Sequence, residues 1–297
     1  MQNPLSPNIK KNMTTRRSFL KITLGSLILA DAVSLFAMKT HSRALWKIGI
    51  CEWGIRTTGS VSSFEVAKEL GFEGVQLAYQ PTGEASLALD KNRSLLLETS
   101  KESGVGIASL CLLLMNNHPL ATTPEAESWV ENCIDAMVEL NIEQVLVPFF
   151  VNADLTQNKD HLPLVIEKLR RLAPIAEKKK KILAIESTLS AEDHIKMLDA
   201  IGSNAIKVYY DPRNSLDKNY DIFHEMELLG KNRLISQIHF KEHGKRLGEG
   251  DIDFVKVCDT LEKIDYKGWV VVEGSTSGDW KESQIANAQF IKKIIGK

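Results

Sequence analysis

The chain has 297 residues and only four cysteines, Cys51, Cys111, Cys133 and Cys258. They are too few and too scattered for a disulfide framework or a CxxC zinc site. It also has no excess charge of either sign: Lys+Arg is 37 and Asp+Glu is 38. A protein that grips a phosphate backbone needs a basic excess, so a nucleic-acid partner is disfavoured. No GxGxxG follows the first strand pattern and no P-loop is present, which argues against dinucleotide and nucleoside-triphosphate sites. No proline-rich or Gly/Ser-rich linker interrupts residues 45–297, so that stretch reads as one domain. Hydrophobic residues at 43% and charged residues at 25% are ordinary globular values, which excludes a disordered or collagen-like chain.

Residues 1–44 stand apart from the rest. Arg16-Arg17 is followed by Phe19-Leu20-Lys21 and then by an apolar stretch, Ile22 to Met38, interrupted by Asp31. A basic segment before a short apolar one is the pattern of an export signal, here resembling the twin-arginine type. The apolar run falls short of the roughly 20 residues a spanning helix needs, and Asp31 is costly within it. The expectation is therefore an exported, periplasmic protein, handled by the twin-arginine machinery, with no stable membrane anchor in its mature form. The candidate cleavage sites, after Ala37 or after Ala44, are not clean. Removing residues 1–44 leaves the remainder at a formal charge of −7. That moves it further from nucleic acid and anionic membranes.

From residue 45 onward the chain alternates short apolar, β-branched runs with amphipathic stretches. Strands are predicted at Trp46–Cys51, Gly74–Ala78, Val105–Leu110, Gln144–Pro148, Ile182–Glu186, Ile206–Asp211, Leu234–Phe240 and Trp269–Glu273. Helices are predicted at 63–70, 125–140, 160–179, 191–201, 217–229, 252–264 and 279–295. Gly71, Gly104, Gly230 and Gly268 fall where helices should stop, and Ser190 and Asp217 where helices should begin. Eight β/α units in about 250 residues predict a (β/α)₈ TIM barrel, whose chemistry sits at the C-terminal ends of its strands.

The last four predicted strands each end in a metal-type side chain: Glu186, Asp211, His239 and Glu273. A charge placed there needs a partner or a metal. Neighbouring strands lie ~4.8 Å apart, so four successive ends can surround one ion. Three carboxylates and an imidazole suit one divalent cation, Mn²⁺, Mg²⁺, Co²⁺ or Zn²⁺. Lys241 shares the face of His239 by strand alternation, so it can bind a substrate oxygen or pair with a ligand carboxylate. Trp53 and Tyr79, after the first two strands, are aromatics with one wet edge and are candidates for stacking on a bound substrate. His118, beyond the third strand, is a weaker candidate for substrate contact.

Together, Gly71-Phe72-Glu73-Gly74-Val75, the four strand-end ligands and Leu247-Gly248-Glu249-Gly250-Asp251-Ile252-Asp253-Phe254 resemble the xylose isomerase-like barrel family, especially its sugar and sugar-phosphate isomerase/epimerase branch. The resemblance covers about residues 46–297. It implies that Glu186, Asp211, His239 and Glu273 are metal ligands and that the two glutamates also move protons. The expected activity is thus a metal-dependent isomerase or epimerase acting on a small-molecule sugar or polyol derivative by α-proton abstraction through an enediolate that Lys241 can stabilise. A lyase or dehydratase, or a sugar-binding protein without turnover, are the alternatives. A homo-oligomer is compatible with all of these. The chain departs from the family at Asn214, where epimerases commonly carry histidine three residues after the strand-six aspartate. Asparagine can bind a substrate hydroxyl but cannot relay a proton.

Overall fold

The computed structural model describes residues 46–274 and 278–297. The expected export segment and its boundary at residue 44 lie outside the described residues. Eight parallel strands close into a barrel in chain order: β1 (Lys47–Cys51), β2 (Gly74–Ala78), β3 (Gly106–Cys111), β4 (Gln144–Phe149), β5 (Ile182–Ser187), β6 (Ile206–Tyr210), β7 (Ile235–Phe240) and β8 (Trp269–Val272). β8 closes on β1 with Lys47 opposite Trp269 and Ile50 opposite Val272. The helices between strands are α1 (Ser62–Leu70), α2 (Asp90–Ser103), α3 (Ala126–Glu139), α4 (His161–Lys178), α5 (Ala191–Ile201), α6 (Pro212–Asp217), α7 (Ile222–Lys231), α8 (Phe254–Lys263) and α9 (Trp280–Ile295). This is the expected (β/α)₈ TIM barrel. Among the described residues no helix is long and apolar enough to cross a membrane.

The main core lies between strands and helices. In α8, Phe254, Val257, Cys258 and Leu261 are buried, the i, i+3, i+4, i+7 stripe that turns one helix face inward. Phe254, Val257 and Leu261 each contribute about 1.5–3 kcal/mol by leaving water. Phe254 meets Phe240 of β7 with ring centroids 4.7 Å apart, which seats the helix on the barrel. All four cysteines are buried in the core and none is in a disulfide.

Several local expectations need correction. Gly71 and Gly104 do close α1 and α2 in the left-handed region, at φ 89° and 75°. Gly230 instead lies inside α7, where a Cβ would come within 2.5 Å of the Ile264 side chain. Gly268 precedes β8 and leaves room for the Tyr266 ring. Ser190 caps α5 as expected, whereas Asp217 ends α6, and Asp221 caps α7 through the amides of Phe223 and His224. The largely polar α2 buries only Arg93 and Leu96, so it carries almost no apolar periodicity to read.

Inside the barrel, side chains from non-adjacent strands meet. Gln76 of β2 donates from Nε2 to Ser109 Oγ of β3 at 2.8 Å and to Tyr209 OH of β6 at 3.2 Å. Contacts between β2 and β6 can only run through the barrel interior. Small apolar groups, Cys51, Ala108, Val271, Cys111 and Ala184, fill the space around these polar ones.

Candidate active site

Strand alternation decides which side chains reach the mouth. In β7, Gln237 and His239 face the interior, and Lys241 continues the same row. Glu186 stands next to last in β5, opposite Pro148 of β4. Asp211 follows β6 in extended conformation, and its Oδ1 accepts the Arg213 amide at 2.7 Å to start α6, with Pro212 at the first helical position. Glu273 follows β8, and its amide donates to the Phe240 carbonyl at 3.0 Å, so the β8 ladder continues one bond past Val272. One ligand-type atom from each of Glu186, Asp211, His239 and Glu273 lies within 4.8 Å of the others.

His239 is fully buried, and its two ring nitrogens face different surroundings. Nε2 lies 2.9 Å from Gln76 Oε1, while Nδ1 lies 3.3 Å from Glu186 Oε1 and 3.5 Å from Glu273 Oε2. In the structure the Gln76 amide nitrogen meets two hydroxyl oxygens, and its oxygen accepts the Cys51 thiol at 3.1 Å. In the neutral ring, Nε2–H therefore donates to Gln76 and the Nδ1 lone pair faces the three carboxylates. Gln76 is absent from the sequence-based candidates. The signal that could have found it is a lone amide in the otherwise apolar run Gly74-Val75-Gln76-Leu77-Ala78.

Lys241 sits among the acids. Its Nζ is 2.8 Å from Asp211 Oδ2, 2.8 Å from Glu273 Oε2 and 3.1 Å from Asn214 Oδ1. Asn214 in turn donates from Nδ2 to Glu186 Oε1 at 3.0 Å, so one amide links Glu186 to Lys241. The two glutamates are pushed in opposite directions. Burial raises the Glu186 carboxyl above its ordinary range, against the pull of His239. Burial acts the same way on Glu273, but His239, Lys241 and the hydrogen bonds from Lys241 and Trp53 outweigh it and bring that carboxyl down to about 2. Burial also opposes the charged form of Lys241, yet Asp211, Glu273 and Glu186 hold its ammonium well above the usual range.

The donor set fits a divalent cation. It offers three carboxylates and one imidazole nitrogen whose second nitrogen is already committed, the arrangement that orients a histidine ligand. Asp211 Oδ1 is committed to the helix, while buried Oδ2 has no aligned hydrogen bond and only the Lys241 charge beside it. A cation and the His239 proton would compete for Nδ1.

The remaining candidates divide. Trp53 Nε1 donates to Glu273 Oε1 at 3.2 Å, and its ring lines a cavity of about 360 Å³ together with Lys241 and Glu273. Tyr79 is not at the mouth. Gln76 faces the barrel interior, so alternation turns Tyr79 toward the helices, where it is fully buried in the core and cannot reach a substrate. His118 is exposed and packs edge-on against Trp129 of α3, with centroids 5.9 Å apart, and makes no contact with the four-residue cluster among the hydrogen bonds and ion pairs of the described residues. A larger cavity of about 730 Å³ opens at the opposite face, among residues at strand starts such as Lys47, Gln144 and Ile182. Barrel chemistry belongs to the other end.

The xylose isomerase-like TIM barrel family model matches residues 64–294, and the chain belongs to that family. The chain is 25% identical over 263 residues to a provisionally named L-ribulose-5-phosphate 3-epimerase of Escherichia coli K12, covering 76% of this chain and 91% of that protein. A shorter match, 42% identical over 52 residues, is to an inosose dehydratase of Histophilus somni and covers 16% of this chain and 17% of that one. Among solved structures, a D-psicose 3-epimerase superposes with a TM-score of 0.71 at 16% identity, over 84% of this chain and all of that one. The 3-keto-D-glucoside 4-epimerase of E. coli gives 0.70 at 15%, over 84% and 99%. At these identities the structural likeness is one of fold.

Proposed function

We propose that this member of the xylose isomerase-like family is a divalent-metal-dependent sugar epimerase or isomerase that works by abstracting a proton beside a carbonyl. The observation that carries the reading is the convergence of Glu186, Asp211, His239 and Glu273 at the C-terminal mouth, with Nδ1 of His239 turned into the group by Gln76. The similarity to epimerases supports it.

A bound divalent ion supplies Lewis-acid stabilisation of the oxygen that gains negative charge as the proton leaves. The chain's own residues do the rest. Glu273, held ionised by His239 and Lys241, is suited to accept the proton at a carboxylate oxygen. Glu186, from β5, offers the second carboxylate oxygen through which a proton can be returned. The two come from β5 and β8, so a sugar between them meets a proton-transfer group on either side, as inversion at one carbon requires. The Lys241 ammonium adds positive charge beside the oxygen being reduced in bond order, and Asn214 offers its amide to a neighbouring hydroxyl. Trp53 gives an apolar surface for the sugar's C–H face and holds Glu273 in place.

A dehydratase acting on the same α-proton is the second reading, supported by the local match to an inosose dehydratase. The Arg16-Arg17 segment supports action outside the cytoplasm on a substrate met there. The test is metal analysis of the purified protein together with proton exchange in D₂O over a panel of ketoses, aldoses and inososes. Exchange with return of an epimer supports the first reading, and exchange with loss of water the second. No exchange with any sugar, in protein reloaded with each of the four metals, would overturn both.

A further inference from the structure

The cavity beside Glu273 extends to a cationic rim that the chemistry above does not use. Besides Trp53, Lys241 and Glu273, its walls include Arg56, Trp280 and Gln284. The Arg56 guanidinium lies over the Trp280 ring, 5.5 Å from its centroid, and Lys281 Nζ lies 5.7 Å from the same ring. Gln284 Nε2 ties the two walls together by donating to the carbonyls of Gly54 and Gly274, each at 3.3 Å.

Two properties of Arg56 combine with its place in the cavity wall. Among the described residues it makes no ion pair, a state it shares with Arg170 and Arg233, while Arg213 pairs with Asp217 and Arg246 with Glu282. It also occupies the left-handed region, φ 62° and ψ 31°, at the end of the 3₁₀ turn Glu52–Ile55. Glycine would take that position without strain, and a strained residue that lines a ligand cavity points to a use for its side chain. The Trp280 face is already covered by guanidinium, so this wall offers charge and donors instead of a bare surface for a sugar ring. A guanidinium beside an indole face can present its fork of N–H groups to a planar or tetrahedral anion.

We propose that this rim is an anion subsite: Arg56, braced by Trp280 and reinforced by Lys281, binds a carboxylate or phosphate carried by the sugar away from its reacting carbons. The substrate class is then an acidic sugar or a sugar phosphate. This inference rests on reading the neighbouring cluster as a sugar-converting site.

The test compares matched probes on the full, metal-loaded chain. D-fructose 6-phosphate is set against D-fructose, and D-galacturonate against D-galactose. Binding is read from intrinsic tryptophan fluorescence, to which Trp53 and Trp280 of the cavity wall contribute, and proton exchange is read separately in D₂O. At least one charged probe should bind about tenfold or more tighter than its neutral partner, the worth of one charge-assisted hydrogen bond. Which pair shows the gap distinguishes phosphate from carboxylate. Arg56→Gln and Arg56→Gly should both erase the gap, and Arg56→Lys should keep part of it. The glycine variant should melt no lower than the parent, because it relieves the left-handed strain. A wild-type protein indifferent to charge, or a gap that survives Arg56→Gly, would overturn the subsite. A gap that depends on Arg56 without exchange on any probe would leave the subsite standing and count against the epimerase reading.

Discussion

His239 Nε2 and Gln76 Oε1 lie 2.9 Å apart across the barrel interior, although their strands, β7 and β2, are three places apart around the sheet. The bond assigns the proton to Nε2 and leaves Nδ1 for the acidic cluster. Groups that orient a ligating histidine typically tune metal affinity by about 10–100-fold. Gln76→Leu should lower affinity within that range, measured by competition with a chelator. Unchanged affinity in a folded variant would show that the histidine is oriented by packing on Tyr209, whose ring lies 4.3 Å away.

Glu186→Gln and Glu273→Gln should each reduce proton exchange by ~10²–10⁴-fold, the usual worth of one proton-transfer group. Glutamine keeps the shape, so circular dichroism should be unchanged. Exchange near the parental rate in either variant removes that residue from the proton-transfer role.

Lys241→Met separates two roles. In metal-free protein the ammonium neutralises Asp211 and Glu273, and leaving buried charges unpaired costs about 3–5 kcal/mol. The melting temperature of the metal-free variant should fall, and added metal should restore most of it. In the restored protein kcat should still be reduced if the ammonium stabilises developing charge on substrate. Full activity on restoration would make Lys241 an ion-pair partner alone.

Glu52 gives a pH signature away from the cluster. Its carboxylate is buried, and its Oε1 accepts the Ala78 amide at 2.8 Å. Burial outweighs the hydrogen bonds from Ala78 and Gly59 and raises this carboxyl to about 7. A raised folded value contributes stability that is complete below the unfolded value, about 4.3. That stability is lost as pH climbs toward 7, by an amount on the order of 3 kcal/mol. Glu52→Gln should therefore flatten the fall in stability between pH 4.5 and 7.5 in urea titrations. A slope identical to that of the parent would mean Glu52 is ionised throughout.

The barrel is legible because parallel strands covered on both faces read as largely apolar runs, and most of the eight do, although β7 carries Ser236, Gln237 and His239. The charged residues closing four of those runs were legible for the same reason, since Glu186 or His239 stands out against its strand. Tyr79 was misplaced because one position past a strand changes its side from mouth to core. The shift becomes certain only once Gln76 is known to face inward. Gln76 and Arg56 were missed on different grounds. One matters through a partner 163 residues away, and the other through a left-handed turn and a ring supplied by α9. Asn214 stands out in the sequence as a departure, but its bridge from Glu186 to Lys241 needs three strand ends in space.

The burial of all four cysteines makes the chain its own reporter of opening. Cys51 and Cys111 line the barrel interior, while Cys133 and Cys258 lie under α3 and α8. A thiol reagent reaches the first pair only when the barrel parts and the second only when a helix lifts. Mass spectrometry of intermediates labelled over time can thus rank which layer loosens first, with no engineered label and no change to the mouth.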